Sequence, residues 1–266
     1  MTVIYIMAAS HSGSTLLSFL LGSHPQIFNL GELKEFENFF NPLKEDDRGQ
    51  YNTPCDCGIR VYDCPFWSKI NDKTPLSKTK ANDIILYQAI RTTAQEPILV
   101  DNSKNAERFK FYPKHNIPYK IVHLIRDGRA KGFSDYKLKR DIKKSMKKWA
   151  LMNKFISNKY GDDPNYMLVH YEDLTTEPVK TLNKILGMVN LETTADQLNY
   201  HDKEFHSIGG NRKVRTNRSE IKFDDDYLNR MTTEQWHLAE KTIGDTLRYF
   251  GYDKELVDKV INSETL

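Results

Sequence analysis

Four short apolar runs limit what this chain can fold into. TVIYIMA (2–8), EPILVD (96–101), YKIVHLI (119–125) and NYMLVHY (165–171) are rich in β-branched and aromatic residues and stop at small or polar ones. Each has the length and composition of a strand buried on both faces. Helical patterns fill the intervals, at 14–22, 78–95, 105–114, 128–160 with a break, and 175–189. Buried strands alternating with helices predict an α/β fold, a parallel β-sheet flanked by helices on both faces. A length of 266 residues suits one domain over 1–266. Such sheets bind ligands beyond the carboxyl ends of their strands, which directs attention to Ser10–Thr15, Asp101–Lys104, Arg126–Arg129 and Tyr171–Asp173.

The stretch ASHSGSTLL (9–17) joins the first strand to the first helix. Backbone N–H groups and the positive end of the helix dipole attract an anion there. Gly13 permits close backbone approach, and Ser12, Ser14 and Thr15 add hydroxyl donors. The sheet is therefore expected to be P-loop-like. A triphosphate loop would read GxxxxGK[ST], but Gly13 is followed directly by Ser14 and Thr15, so the lysine is missing. Of the strand ends, only Asp101 offers a magnesium ligand. A singly charged sulfuryl group on a phosphate needs less compensation and no metal.

A net charge of +3 is too small to argue for nucleic acid, so anion affinity must come from local clusters. The longest apolar helical stretch, STLLSFLLG, is too short to cross a bilayer. The N-terminus lacks the basic start and cleavage site of a signal peptide, and the chain is read as cytoplasmic and soluble. The basic run KLKRDIKKSMKK (137–148) is read as a solvated helix face. Residues 41–76 are polar and turn-rich, and look like an insertion near the acceptor pocket, with Tyr51, Tyr62, Phe66 and Trp67 as candidate lining. All three cysteines, Cys55, Cys57 and Cys64, lie in CDCGIRVYDCPFW. With no histidine between His24 and His115, they are read as free thiols and no metal is expected. One disulfide, or a zinc ion completed by a distant histidine, is the alternative.

Several stretches, in this order, resemble the sulfotransferases that use 3′-phosphoadenosine 5′-phosphosulfate (PAPS). SHSGSTLL is similar to the family's 5′-phosphosulfate loop, and LIRDGRAKGFS (124–134) to its 3′-phosphate motif; VHYEDL (169–174) and GGNRKVR (209–215) resemble its later segments. The resemblance implies PAPS as cosubstrate, PAP as product, and phosphate contacts from His11, Ser12, Gly13, Ser14, Thr15 and Leu16. Arg126 and Ser134 would hold the 3′-phosphate, and eight residues along a helix would return both to nearly the same face. Arg129 is read as a brace. Gly210, Asn211, Arg212 and Lys213 would close over the nucleotide. His11 stands where the family usually has arginine or lysine, and a neighbouring phosphosulfate would favour its charged form.

Sulfuryl transfer needs a base, a group that stabilises the leaving oxygen, and alignment. Glu32, in NLGELKEF, resembles the glutamate base of the tyrosylprotein and carbohydrate branches, and the cytosolic branch's histidine motif is not found. His24 is the second candidate base. Lys104, in VDNSK, is the candidate for the leaving oxygen. The expected activity is sulfation of a hydroxyl or amine on a small-molecule acceptor, a specialised metabolite or a saccharide. The alternatives are a P-loop-type phosphotransferase using ATP and magnesium, or a non-catalytic nucleotide- or RNA-binding protein.

Overall fold

The computed structural model describes residues 1–40, 54–74, 83–211, 214 and 220–252. Its strands are β1 (Thr2–Ala8), β2 (Ile27–Gly31), β3 (Ile98–Asp101), β4 (Tyr119–Ile125) and β5 (Tyr166–His170), in the order β2-β3-β1-β4-β5. β1 and β2 both pair parallel with β3. The parallel α/β sheet expected from the alternation of runs is present, with helices flanking it.

β2 was not expected. Its sequence, IFNLG, carries a polar residue at its centre and a bulge between Asn29 and Gly31, so it shows neither an apolar run nor a clean alternation. Buried Asn29 accepts a hydrogen bond at Oδ1 from Gly31 N at 3.0 Å, while its Nδ2 has no partner among the described residues. The helical stretch 128–160 breaks at 138–141 into helices Gly128–Lys137 and Ile142–Tyr160. Among the described residues, no helix is long and apolar enough to cross a membrane. Residues 41–53 and 75–76 of the expected insertion lie outside the described residues.

The chain forms two compact units. The first comprises Met1–Met7, Ser14–Val122 and Pro178–Glu220. Helix Ser14–Gly22 buries Leu17, Phe19, Leu20 and Leu21, and Phe19 packs on Phe205 with ring centroids 4.9 Å apart. Trp67 is fully buried against Phe36 and Phe66. Tyr62 is exposed, and Tyr51 lies outside the described residues.

The second unit comprises Ala8–Gly13, His123–Glu177 and Ile221–Leu266. Its core gathers Phe133, Met146, Trp149, Trp236, Ile243 and Leu247. Helix Gly128–Lys137 is capped by Asp127, whose Oδ1 accepts from Arg129 N at 2.8 Å. Along helix Ile142–Tyr160, Lys143, Lys144, Lys147 and Lys148 are exposed, in agreement with a solvated basic face.

His123, inside β4, is completely buried. Asn153 Nδ2 donates to Trp149 O at 2.8 Å, so Asn153 Oδ1 is the acceptor for His123 Nε2 at 2.9 Å. His123 Nδ1 then accepts from the Tyr166 hydroxyl at 2.7 Å. Burial holds the imidazole neutral and pushes its pKa down to about 4. The unfolded value, about 6.5, lies above this, so the contribution is complete above that pH and is lost as pH falls towards 4. The full loss amounts to about 3 kcal/mol. Urea unfolding at a series of pH values should show this acid-side decline, and His123→Gln should flatten it. An equally steep decline in the variant would assign the acid sensitivity to other groups.

Candidate active site

In the second unit, the residues after β1 meet the residues after β4. Gly13 has φ +82°, and a Cβ there would lie 2.4 Å from Tyr171 Cδ2. Glycine is therefore required both by conformation and by space. Tyr171 in turn carries the Arg126 guanidinium over its ring, 4.6 Å from the centroid. Arg126 Nη1 donates to His11 O at 3.3 Å, and Nη2 donates to Asp224 O and Oδ2, both at 2.9 Å. Ser12 Oγ and Arg126 Nε are buried without a hydrogen-bond partner among the described residues. Buried donors of this kind are costly unless something accepts from them. Gly13→Ala should cost about 1–2 kcal/mol of stability through the left-handed backbone alone. It should also displace Tyr171 and with it Arg126, which a thermal melt together with a nucleotide titration would register.

His11 adopts φ 65°, an uncommon left-handed conformation for a residue with a side chain. Burial, then the charge of Lys131, lowers its pKa below the ordinary histidine value. Arg129 is buried and forms a two-pronged ion pair with Asp127, Nε–Oδ1 2.9 Å and Nη2–Oδ2 2.6 Å. It stacks on Trp236 at 5.2 Å. Glu172, of VHYEDL, accepts from Asp127 N at 3.0 Å. The helical-face argument linking Arg126 to Ser134 does not apply. Arg126 lies before the cap residue Asp127, outside the helix, while Ser134 is half-buried within it.

In the first unit, Glu32 and Lys104 come together at the ends of β2 and β3. Lys104 Nζ donates to Glu32 Oε1 at 2.5 Å, and Lys34 Nζ lies 3.2 Å from Glu32 Oε2. Their side chains are only 12% and 17% exposed for Glu32 and Lys104, so both are shielded but still reachable from solvent. Lys104 has φ 61°, a strained placement of the kind that collects at functional sites. The turn beneath it is held by Asp101, which is completely buried. Asp101 accepts from Ser103 N at 2.8 Å, from the Ser103 hydroxyl, and from Tyr112 Oη at 2.6 Å. Burial raises the Asp101 pKa, and its carboxylate is fully engaged in the turn.

The segment 205–211 completes this cluster. Ile208 N donates to Leu30 O at 3.2 Å, and Glu32 N donates to Ile208 O at 2.6 Å. Gly31 has φ +72°, and a Cβ there would lie 2.1 Å from Ile208 O. Gly210 has φ +92° and sits against Thr15, whose Oγ1 accepts from Asn211 N at 3.0 Å. Ser14 and Thr15 are buried in the first turn of their helix, and Leu16 is half-buried. Thus Thr15, Gly210 and Asn211 are neighbours in the first unit. Arg212 and Lys213 lie outside the described residues. His24 is buried in a turn, where its Nδ1 accepts from Gln26 N at 3.1 Å. Sequence reasoning missed Asp224, 98 residues from Arg126 along the chain, and no local signal pointed to it.

A family model described as "Sulfotransferase family" matches residues 4–196, most of the chain and all of the elements just described up to β5 and the helices after it. The chain belongs to the sulfotransferase family. Among solved structures, this sulfotransferase is similar to the sulfotransferase domain of the Synechococcus PCC 7002 olefin synthase, with 18% identity over 95% of each chain and a TM-score of 0.55. It is similar also to the sulfotransferase domain of the curacin biosynthetic pathway, with 18% identity over 99% of this chain and 97% of that one and a TM-score of 0.54. The mouse sulfotransferase SULT7A1, solved with PAP, matches at 11% identity over 99% and 88% of the two chains, with a TM-score of 0.52. At these identities the likeness is one of fold. No curated protein sequence matches the chain.

Proposed function

We propose that this sulfotransferase moves the sulfuryl group of PAPS to a hydroxyl or amine of a small-molecule acceptor, a specialised metabolite or a saccharide, and releases PAP. The observation that carries this reading is the shielded Glu32–Lys104 pair, 2.5 Å apart. A carboxylate and an ammonium held together at the ends of two neighbouring strands supply the two groups that sulfuryl transfer needs. Glu32 takes the acceptor's proton as the acceptor oxygen or nitrogen bonds to sulfur. The bond from sulfur to the phosphate oxygen breaks, and Lys104 exchanges its carboxylate partner for that leaving oxygen.

The loop residues fit the 5′-phosphosulfate. Ser12 offers a buried hydroxyl with no partner among the described residues, and Gly13, at φ +82°, makes the left-handed turn of the loop. His11, Ser14, Thr15 and Leu16 supply further backbone and side-chain donors, and Gly210 and Asn211 fix Thr15. Arg126 is assigned to the 3′-phosphate, with Ser134 as a further donor. Its Nε is buried and unpartnered, and the half-exposed Asp224 is a carboxylate that a phosphate can displace. A magnesium-dependent phosphotransferase has no comparable support: the loop lysine is missing and Asp101 is engaged by Ser103 and Tyr112.

Calorimetric titration with PAP, adenosine 5′-phosphosulfate and ADP–magnesium tests this assignment. PAP should bind without metal and at least about 100-fold more tightly than either comparator, the equivalent of two charge-assisted hydrogen bonds. Preference for ADP–magnesium would overturn the assignment of both the loop and Arg126.

A further inference from the structure

We infer that Cys55, Cys57, Cys64 and His206 bind one structural zinc ion. Their ligand atoms, three Sγ and one imidazole nitrogen, all lie within 4.8 Å of one another, in the first unit. Three of the four come from a short segment with the spacing C-x-C-x6-C, and the fourth is supplied 142 residues after Cys64. The sequence alone offered no nearby histidine to complete the set. The fold brings one.

The distances decide between a metal and a disulfide. Cys57 Sγ and Cys64 Sγ are 3.8 Å apart. A disulfide requires about 2.05 Å. A tetrahedral zinc ion with Zn–S of about 2.3 Å has sulfur–sulfur edges of about 3.8 Å. Cys64 Sγ and His206 Nδ1 are 3.3 Å apart. The matching mixed edge, with Zn–N of about 2.05 Å, is about 3.6 Å. All three cysteines are free of disulfides, and Cys55 and Cys64 are buried. A Cys3His set of soft thiolates closed by an imidazole is a structural zinc ligand set, with no position left for a substrate.

The surroundings are built to orient these ligands. The turn that carries Cys55 and Cys57 is closed by hydrogen bonds from Cys55 N to Ile59 O at 2.7 Å and from Gly58 N to Cys55 O at 2.9 Å. Gly58 has φ +83°, which lets the turn reverse sharply. With Nδ1 directed at the cluster, His206 Nε2 faces Glu204 Oε1 at 3.7 Å, an ion-pair distance. Trp67 Nε1 donates to His206 O, and Phe66 stacks on the imidazole with centroids 6.2 Å apart.

The consequence reaches the catalytic pair. His206 lies two residues before Ile208, which bonds to Leu30 and Glu32, and the same segment continues to Gly209–Asn211. A metal at Cys55, Cys57, Cys64 and His206 would staple segment 54–74 to the strand-like stretch that supports Glu32. Metal that binds only the folded cluster adds its binding energy to folding.

The test uses the full chain, purified without a metal-affinity tag and gel-filtered in chelated buffer. Elemental analysis should find one zinc per chain. A mercurial should release that zinc as the three thiols react, and the melting temperature should fall by several degrees. Cobalt substituted for zinc should give the intense visible bands of tetrahedral cobalt with thiolate ligands. Cys57→Ser should lose the metal, while His206→Cys should keep it with a shifted cobalt spectrum, a readout that survives even if the serine variant folds poorly. Zinc far below one per chain, with three thiols that titrate freely or a Cys57–Cys64 disulfide, would overturn the inference. So would a cobalt spectrum unchanged in His206→Cys.

Discussion

Glu32→Gln should lower kcat by about three orders of magnitude, within the range observed for loss of a general base. PAP affinity should change by less than about twofold, because glutamine keeps the shape and loses only the charge and the proton-accepting power. The argument rests on placement. Glu32 follows the carboxyl end of β2, its main chain is fixed by Ile208 O, and its carboxylate is held by Lys104 at 2.5 Å and Lys34 at 3.2 Å. A purely structural glutamate in this position would show its loss in the melting temperature. A catalytic one shows it in turnover while the melting temperature holds. Steady-state kinetics and a melt on the same preparation separate the two. Full turnover in Glu32→Gln would remove the residue from the mechanism and return attention to the rest of the turn around Lys104.

Arg126→Ala should weaken PAP by about 100-fold, the loss of two charge-assisted hydrogen bonds. Binding of adenosine 5′-phosphate, which lacks the 3′-phosphate, should hardly change. The guanidinium is almost fully buried, lies over Tyr171 at 4.6 Å, and is held by Asp224 at 2.9 Å. Truncation should leave the fold intact, because Trp149 Nε1 bonds to the main-chain O of Arg126 rather than to its side chain. The partner left behind, Asp224, is half exposed and returns to water. Equal losses for the two nucleotides would mean that Arg126 supports the loop through His11 O and does not read the 3′-phosphate.

Some of this site was legible in the chain alone because its signals are local. The proposed anion loop needs Gly13 and a helix start within a few residues, and both follow β1 in sequence. Strand runs such as TVIYIMA declare themselves through composition, and the ion pair of Arg129 needs only its neighbour Asp127. β2 was illegible because Asn29 makes its own hydrogen bond to Gly31 and so hides the strand inside a polar, bulged pentapeptide. The helix that carries Ser134 begins only after its cap Asp127, so spacing along a helix cannot relate Ser134 to Arg126.

The sequence by itself determined the parallel α/β fold and the sulfotransferase membership, because buried strands, helix starts and glycine turns are set by nearest neighbours. Only the tertiary structure decided partners. It paired Glu32 with Lys104, placed Asp224 on Arg126, fitted Tyr171 into the space that Gly13 leaves, and gathered Cys55, Cys57 and Cys64 around His206. The physical reason is range: each of these contacts joins residues tens to more than a hundred positions apart, and packing the sheet and its connections is what brings such distant segments within the few ångströms over which hydrogen bonds and ligation act.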